Sequence, residues 1–134
     1  KFASRYYAAV GLGIDFTARD LQRQARECGE PWDICKGFDG SAPISEFIPL
    51  ADLGGDIQNL NFRLDIDGKT VQKGHTADMI HSVDAIISYV SQFYTLKIGD
   101  IFFTGTPEGV GAVKIGNHIE GWLEGRKMLD FYIK

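Results

Sequence analysis

The stretch NFRLDIDGKTVQKG, residues 61–74, leaves a chain little choice of local fold. Phe62, Leu64 and Ile66 recur at every second position, the period of a strand with one buried face. Asp67-Gly68 follows, a pair suited to the two positive-φ positions of a tight hairpin turn, and the chain returns through Val71. An antiparallel hairpin is expected here, and the rest of the fold must supply a layer to cover it.

Elsewhere the pattern alternates between short strands and two helices. Tyr6 to Ile14, YYAAVGLGI, reads as a largely buried strand. A helix follows, with Thr17 and Asp20 as a capping box and an end near Cys28, where Gly29 takes the C′ position and Pro31 blocks continuation. Pro31 to Leu60 is rich in Gly, Pro, Ser and Asp and reads as an irregular excursion around the core. Met79, Ile80, Val83, Ile86, Ile87 and Val90 fall at helical spacing, with Thr76 as N-cap. IFFTGTPEGVGA is then expected as a short strand breaking into a glycine-rich loop, and strands are placed at His118 to Leu123 and Lys127 to Ile133. No internal repeat or domain boundary interrupts the series. The class is α+β, with strands dominant and few helices.

At 134 residues and 44% apolar content, the chain is long enough for one core and one domain, residues 1–134. The formal charge of −4, with Lys and Arg scattered, excludes nucleic acid and anionic membrane as partners. No apolar run reaches the roughly 18 residues of a membrane span, and the chain reads as cytoplasmic. Cys28 and Cys35 are expected as reduced thiols, and their spacing misses that of a zinc knuckle. His75, His81 and His118 are read as structural or exposed, since His75 and His81 straddle a helix start rather than sharing a face. Lys1 stands almost directly before an apolar segment, and further sequence upstream is expected.

Asp15 ends an apolar run beside a helix start, as a solvated loop acid or as a metal ligand. Arg19 and Gln22 share a helix face near the positive end of the helix dipole. An acid for a cation, a guanidinium to fork a carboxylate and an amide to orient an oxygen suit a small anion chelated to a metal. Lys36, in DICKGFDG, is either a solvated lysine or one held where it neutralises an oxyanion. TGTPEGVG lacks the Gly-Lys-Ser/Thr ending of a P-loop; it is a turn, or a loop in which Thr104, Thr106 and backbone N–H groups bind a carboxylate.

Taken in order, GIDFTARDLQ, PWDICKGFDGSAPIS, the segment from DGKTVQKGHTADMIH to TGTPEGVG, and IEGWLE resemble the catalytic C-terminal part of the fumarylacetoacetate hydrolase superfamily. The likeness covers nearly the whole chain and is nearest the single-domain branch of acylpyruvate hydrolases and oxaloacetate decarboxylases. It implies a mixed β-roll or sandwich with few helices, binding Mg²⁺ or Mn²⁺, with Ca²⁺ as a third hard cation of the same kind. By motif match Asp15 is one of three carboxylate ligands, Arg19, Gln22 and Thr104 touch substrate, and Lys36 is a catalytic group beside the metal. The implied activity is hydrolysis of a C–C bond in a short 2-oxo acid of the acylpyruvate or fumarylacetoacetate kind. Decarboxylation of oxaloacetate and isomerisation of 2-hydroxyhepta-2,4-diene-1,7-dioate are the alternatives on the same chelated acid. The family's Glu-x-Glu ligands and the His/Glu pair of its lid are absent from these residues, so truncation at the N-terminus or a non-catalytic remnant is expected. His81 stands where the family more often has an apolar aromatic, which is read as a packing change. A homodimer is implied, with Phe47, Ile48, Trp122 and Phe131 as residues that serve either an interface or a core.

Overall fold

The computed structural model describes residues 2–134. Its chain forms two compact units, one made of Lys1–Leu12 with Glu46–Lys134 and the other of Gly13–Ser45.

The first unit is organised by a four-stranded antiparallel sheet in the order β4-β3-β5-β6, with β3 at Asn61–Ile66, β4 at Lys69–His75, β5 at His118–Leu123 and β6 at Arg126–Tyr132. Asp67 at φ 51° and Gly68 at φ 75° make the expected hairpin turn. Glu124 and Gly125, at φ 47° and 75°, make the same kind of turn between β5 and β6. The strand expected from Lys127 begins at Arg126.

Strand alternation sorts the two faces. Phe62 lies opposite Leu123, Ile66 opposite Ile119, and Ile119 opposite Phe131, so one face is apolar from strand to strand. Leu60, Ile119 and Leu123 are at most 2% exposed and anchor this layer. The opposite face carries Arg63 and Asp65 on β3, Glu120 and Trp122 on β5, and Lys127 and Asp130 on β6. There the Arg63 guanidinium lies 4.5 Å above the Trp122 ring centroid.

Asp65 is buried on that polar face and is fully served: Thr70 donates to one oxygen at 2.7 Å and Arg63 Nε to the other at 3.1 Å. Burial by itself would raise its pKa, but the Thr70 hydroxyl and the Arg63 guanidinium hold the carboxyl below its ordinary value. A folded value below the unfolded one means the stabilisation is complete above the ordinary carboxylate range and disappears as pH falls through the folded value. Urea midpoints of wild type and Asp65→Asn are therefore expected to differ at pH 7 and to converge below about pH 4. A gap that widens on acidification would contradict this sign.

The helix expected from Met79 starts later. Helix α3 spans Val83–Val90, capped by Ser82 Oγ, which accepts from the Ala85 N–H at 3.2 Å. Thr76 is not the cap, because its hydroxyl accepts from the Leu60 N–H at 2.9 Å, and Thr76–Asp78 is a 3-10 turn. Val83 and Ile87 are buried with Ala3, against Tyr7, Ile57, Met79, Leu96 and Phe102, whereas Ile80 is 95% exposed. The strand expected over Tyr6 to Ile14 contracts to β1, Ala9–Val10, paired with β2, Ile48–Pro49. Pro49 has no N–H to donate, and Gly11 and Gly13 offer no side chain to pack, so the pairing stays short. No strand forms in residues 101–112, since no strand among the described residues pairs with them. No described helix is long and apolar enough to cross a membrane.

The second unit holds helix α1, Arg19–Cys28, and the single turn α2, Asp33–Lys36. Gly29 closes α1 at φ 69°, as expected. The capping box does not form: Ala18 is the N-cap residue and no side chain caps it. Cys28 and Cys35 are free thiols.

Candidate functional site

Asp15 projects from a segment held at both sides. The Ile14 N–H donates to the Pro43 carbonyl at 3.0 Å and the Phe16 N–H to the Ser41 carbonyl at 2.8 Å. Across the unit, α2 is tied in by the Ala18 N–H, which donates to the Cys35 carbonyl at 3.1 Å, and by Cys35 itself, 1% exposed. This docking puts Lys36, the last residue of α2, at Asp15. Its Nζ donates to Asp15 Oδ2 at 2.6 Å and to Thr17 Oγ1 at 2.8 Å. Thr17 in turn donates to the Asp15 carbonyl at 3.3 Å, and its oxygen accepts from Lys36 rather than from an N–H of α1. Gly37 is required at the end of α2, because a Cβ there would meet the Asp33 carbonyl at 2.9 Å.

The Asp15 side chain is 52% exposed and that of Lys36 31%, so the pair faces solvent. It contributes at most about 1 kcal/mol to stability. Its interest is chemical: a carboxylate oxygen and an ammonium lie side by side at an open surface. Arg19 and Gln22 stand one helical turn apart on α1, and an Arg19 terminal nitrogen donates to Gln22 Oε1 at 2.8 Å. That bond leaves the Gln22 amide N–H groups and the other guanidinium N–H groups for a ligand.

Thr104 and Thr106 belong to the first unit, in an exposed loop running past Gly109. Thr106 Oγ1 accepts from Gln72 Nε2 at 2.9 Å, and the same nitrogen donates to the Pro107 and Glu108 carbonyls at 2.9 and 3.3 Å.

The profile of the fumarylacetoacetate (FAA) hydrolase C-terminal family matches residues 2–131. The chain belongs to that family. It is 43% identical over 121 residues to oxaloacetate tautomerase YcgM of Escherichia coli, covering 90% of this chain and 55% of the relative. The mitochondrial oxaloacetate tautomerase FAHD1 of Arabidopsis thaliana is 44% identical over 132 residues, 98% of this chain and 59% of the relative. A solved fumarylpyruvate hydrolase from Pseudomonas aeruginosa, in complex with Mn²⁺ and pyruvate, superposes with a TM-score of 0.89 at 38% identity over 99% of this chain and 56% of its own. The α+β fold with few helices is thus that of the fumarylacetoacetate hydrolases. The chain spans somewhat more than half the length of these relatives.

Two groups escaped the sequence. Thr17 reads as a helix cap and proves to be a Lys36 partner; no local signal separates the two roles. His118, Glu120 and Asp130 bring one ligand atom each within 4.8 Å of one another, a donor set that admits a metal among the described residues. The register that pairs Glu120 with Asp130 and His118 with Tyr132 creates it, and His118 and Glu120 two apart on one strand were the available hint. Lys127 Nζ already sits 2.5 Å from Glu120 and 3.0 Å from Asp130, while His118 Nε2 is 2.6 Å from Asp130. The His118 and Lys127 contacts hold the Asp130 carboxyl below its ordinary value. The Lys127 ammonium thus lies between the two carboxylates of this cluster.

Proposed function

We propose that this chain carries part of the active site of a divalent-metal-dependent enzyme acting on short 2-oxo acids, with residues 1–134 working as one catalytic domain. The observation that carries the reading is the 2.6 Å pair of Asp15 and Lys36. Asp15 fits a hard cation: it is an open carboxylate, and Lys36 engages only one of its oxygens. It would be one ligand of Mg²⁺ or Mn²⁺, with Ca²⁺ as the third candidate, and further oxygen ligands are required. When bound, such a cation polarises the 2-oxo oxygen of the substrate as a Lewis acid. Lys36 offsets the negative charge that grows on that oxygen when a proton or an acyl group leaves the neighbouring carbon. Arg19 forks the substrate carboxylate, Gln22 donates an amide N–H to an oxygen, and Thr104 and Thr106 donate hydroxyl protons.

The reaction we favour is keto–enol isomerisation of an oxaloacetate-like acid, supported by the tautomerases at 43% and 44% identity. In it a proton leaves the carbon beside the oxo group and another is taken up by the oxo oxygen. Hydrolytic C–C cleavage of an acylpyruvate- or fumarylacetoacetate-like acid is the second reading, supported by the fumarylpyruvate hydrolase. Loss of CO₂ from oxaloacetate needs the same charge stabilisation. A homodimer in the cytoplasm belongs to this reading, and the 46% exposed Phe47 and the two free thiols are compatible with it.

The test uses the complete reading frame. Oxaloacetate enol absorbance, CO₂ release and acetylpyruvate cleavage are followed after chelation and again after adding Mg²⁺ or Mn²⁺. Chelation is expected to abolish one of these activities, and either cation to restore it. Full activity in the chelated protein would remove the metal from the reading, and inertness under every condition would favour a non-catalytic remnant.

A further inference from the structure

Gln72 occupies an unusual place in β4. The register of β3 and β4 steps between Leu64 and Asp65, so that Thr70 pairs with Asp65, Gln72 pairs with Leu64, and Val71 is left over. Such a step bends a strand and re-aims its side chains. Gln72 is half-buried, and its amide nitrogen reaches three acceptors 34 to 36 residues away: Thr106 Oγ1, the Pro107 carbonyl and the Glu108 carbonyl. At the adjacent position, the Val71 carbonyl lies so near Gly109 that a Cβ at 109 would overlap its oxygen. Two neighbouring residues of one strand thereby hold four consecutive residues of an exposed loop.

The bond to Thr106 has a direction. An amide N–H can only donate, so the Thr106 oxygen accepts and its own proton is directed elsewhere. We infer that Gln72 is a positioning residue that presents the Thr106 hydroxyl as a proton donor to the carboxylate of the bound 2-oxo acid. This rests on the function proposed above. The carbonyls at 107 and 108 strengthen the assignment, because they accept from the same nitrogen and so exclude an acceptor at position 72. Glutamate there would be nearly the same size with reversed polarity. It would take the Thr106 proton for itself and repel both carbonyls.

The experiment compares wild type, Gln72→Glu, Gln72→Ala, Thr106→Val and Thr106→Ser in the complete reading frame with Mg²⁺ present. Kinetic constants for oxaloacetate, calorimetric affinity for oxalate, and amide exchange over residues 104–111 are measured. Gln72→Glu and Thr106→Val are each expected to raise KM and weaken oxalate binding by about ten- to a hundredfold, the worth of one hydrogen bond to a charged group, with kcat changed far less. Thr106→Ser keeps the hydroxyl and is expected to retain wild-type KM. The double variant Gln72→Glu/Thr106→Val should be no worse than either single one. Unchanged KM in Gln72→Glu, or fully additive losses, would overturn the inference. If the wild-type protein neither turns over oxaloacetate nor binds oxalate, the proposed function fails and the ligand part of this inference with it. Amide exchange then still separates the two: faster exchange at 104–111 in Gln72→Ala keeps the clamp, and unchanged exchange removes that too.

Discussion

Asp15→Ala in the complete reading frame is expected to lower turnover of a 2-oxo acid by about a thousandfold and to leave the fold intact. The magnitude follows from the cation's share of the work, several kcal/mol of charge stabilisation, at 1.36 kcal/mol for each factor of ten. Stability should hardly move, because the Asp15 side chain is 52% exposed and a pair at that exposure is worth about 1 kcal/mol or less. Mn²⁺ affinity, read by calorimetry, should fall in parallel with turnover. Asp15→Asn keeps the shape but loses the charge and is expected to be almost as damaging. Turnover and Mn²⁺ affinity both unchanged in Asp15→Ala would take this residue out of the site.

Gly109→Ala is expected to raise KM for the same acid by roughly a hundredfold, with Gly111→Ala beside it close to neutral. The contrast is geometric. Gly109 has φ +94° and its missing Cβ would overlap the backbone oxygen of Val71, whereas Gly111 has nothing within 4 Å and no positive φ. Backbone cannot rotate away as a side chain does, so the loop itself must leave β4 and take Thr106 with it. The global cost of unfolding should change less than KM does, since the loop is exposed and can move outward. Parallel KM and urea-midpoint measurements on the two variants check this, and equal behaviour of the two would refute the contact.

The elements that could be read in advance are those specified by neighbours in the chain. Asp67-Gly68 needs only two positive-φ positions to turn β3 back into β4, and Gly29 needs only its own freedom to end α1. The apolar face of Phe62, Leu64 and Ile66 was equally legible, because alternation is a property of the strand itself. Asp15, Arg19, Gln22, Lys36, Thr104 and Thr106 were singled out from residue types and motif resemblance, which carry chemistry but no distances.

What the neighbours in the chain left open, packing decided. Thr17 and Thr76 are both good helix caps by composition, yet each hydroxyl is claimed by a partner far along the chain, Lys36 in one case and the Leu60 N–H in the other. A hydroxyl bonds whichever partner the fold brings within about 3 Å, and local pattern cannot rank a neighbour against a distant lysine. The same holds for Gln72, an unremarked polar residue in a strand until a register step aims it at residues 106–108. The sequence by itself determined the hairpin, the helix end at Gly29 and the chemical types available to the site, because these depend on backbone freedom and side-chain period. Tertiary structure alone decided which carboxylate Lys36 meets and which amide donates to Thr106, because a hydrogen bond is set by distance and direction in space.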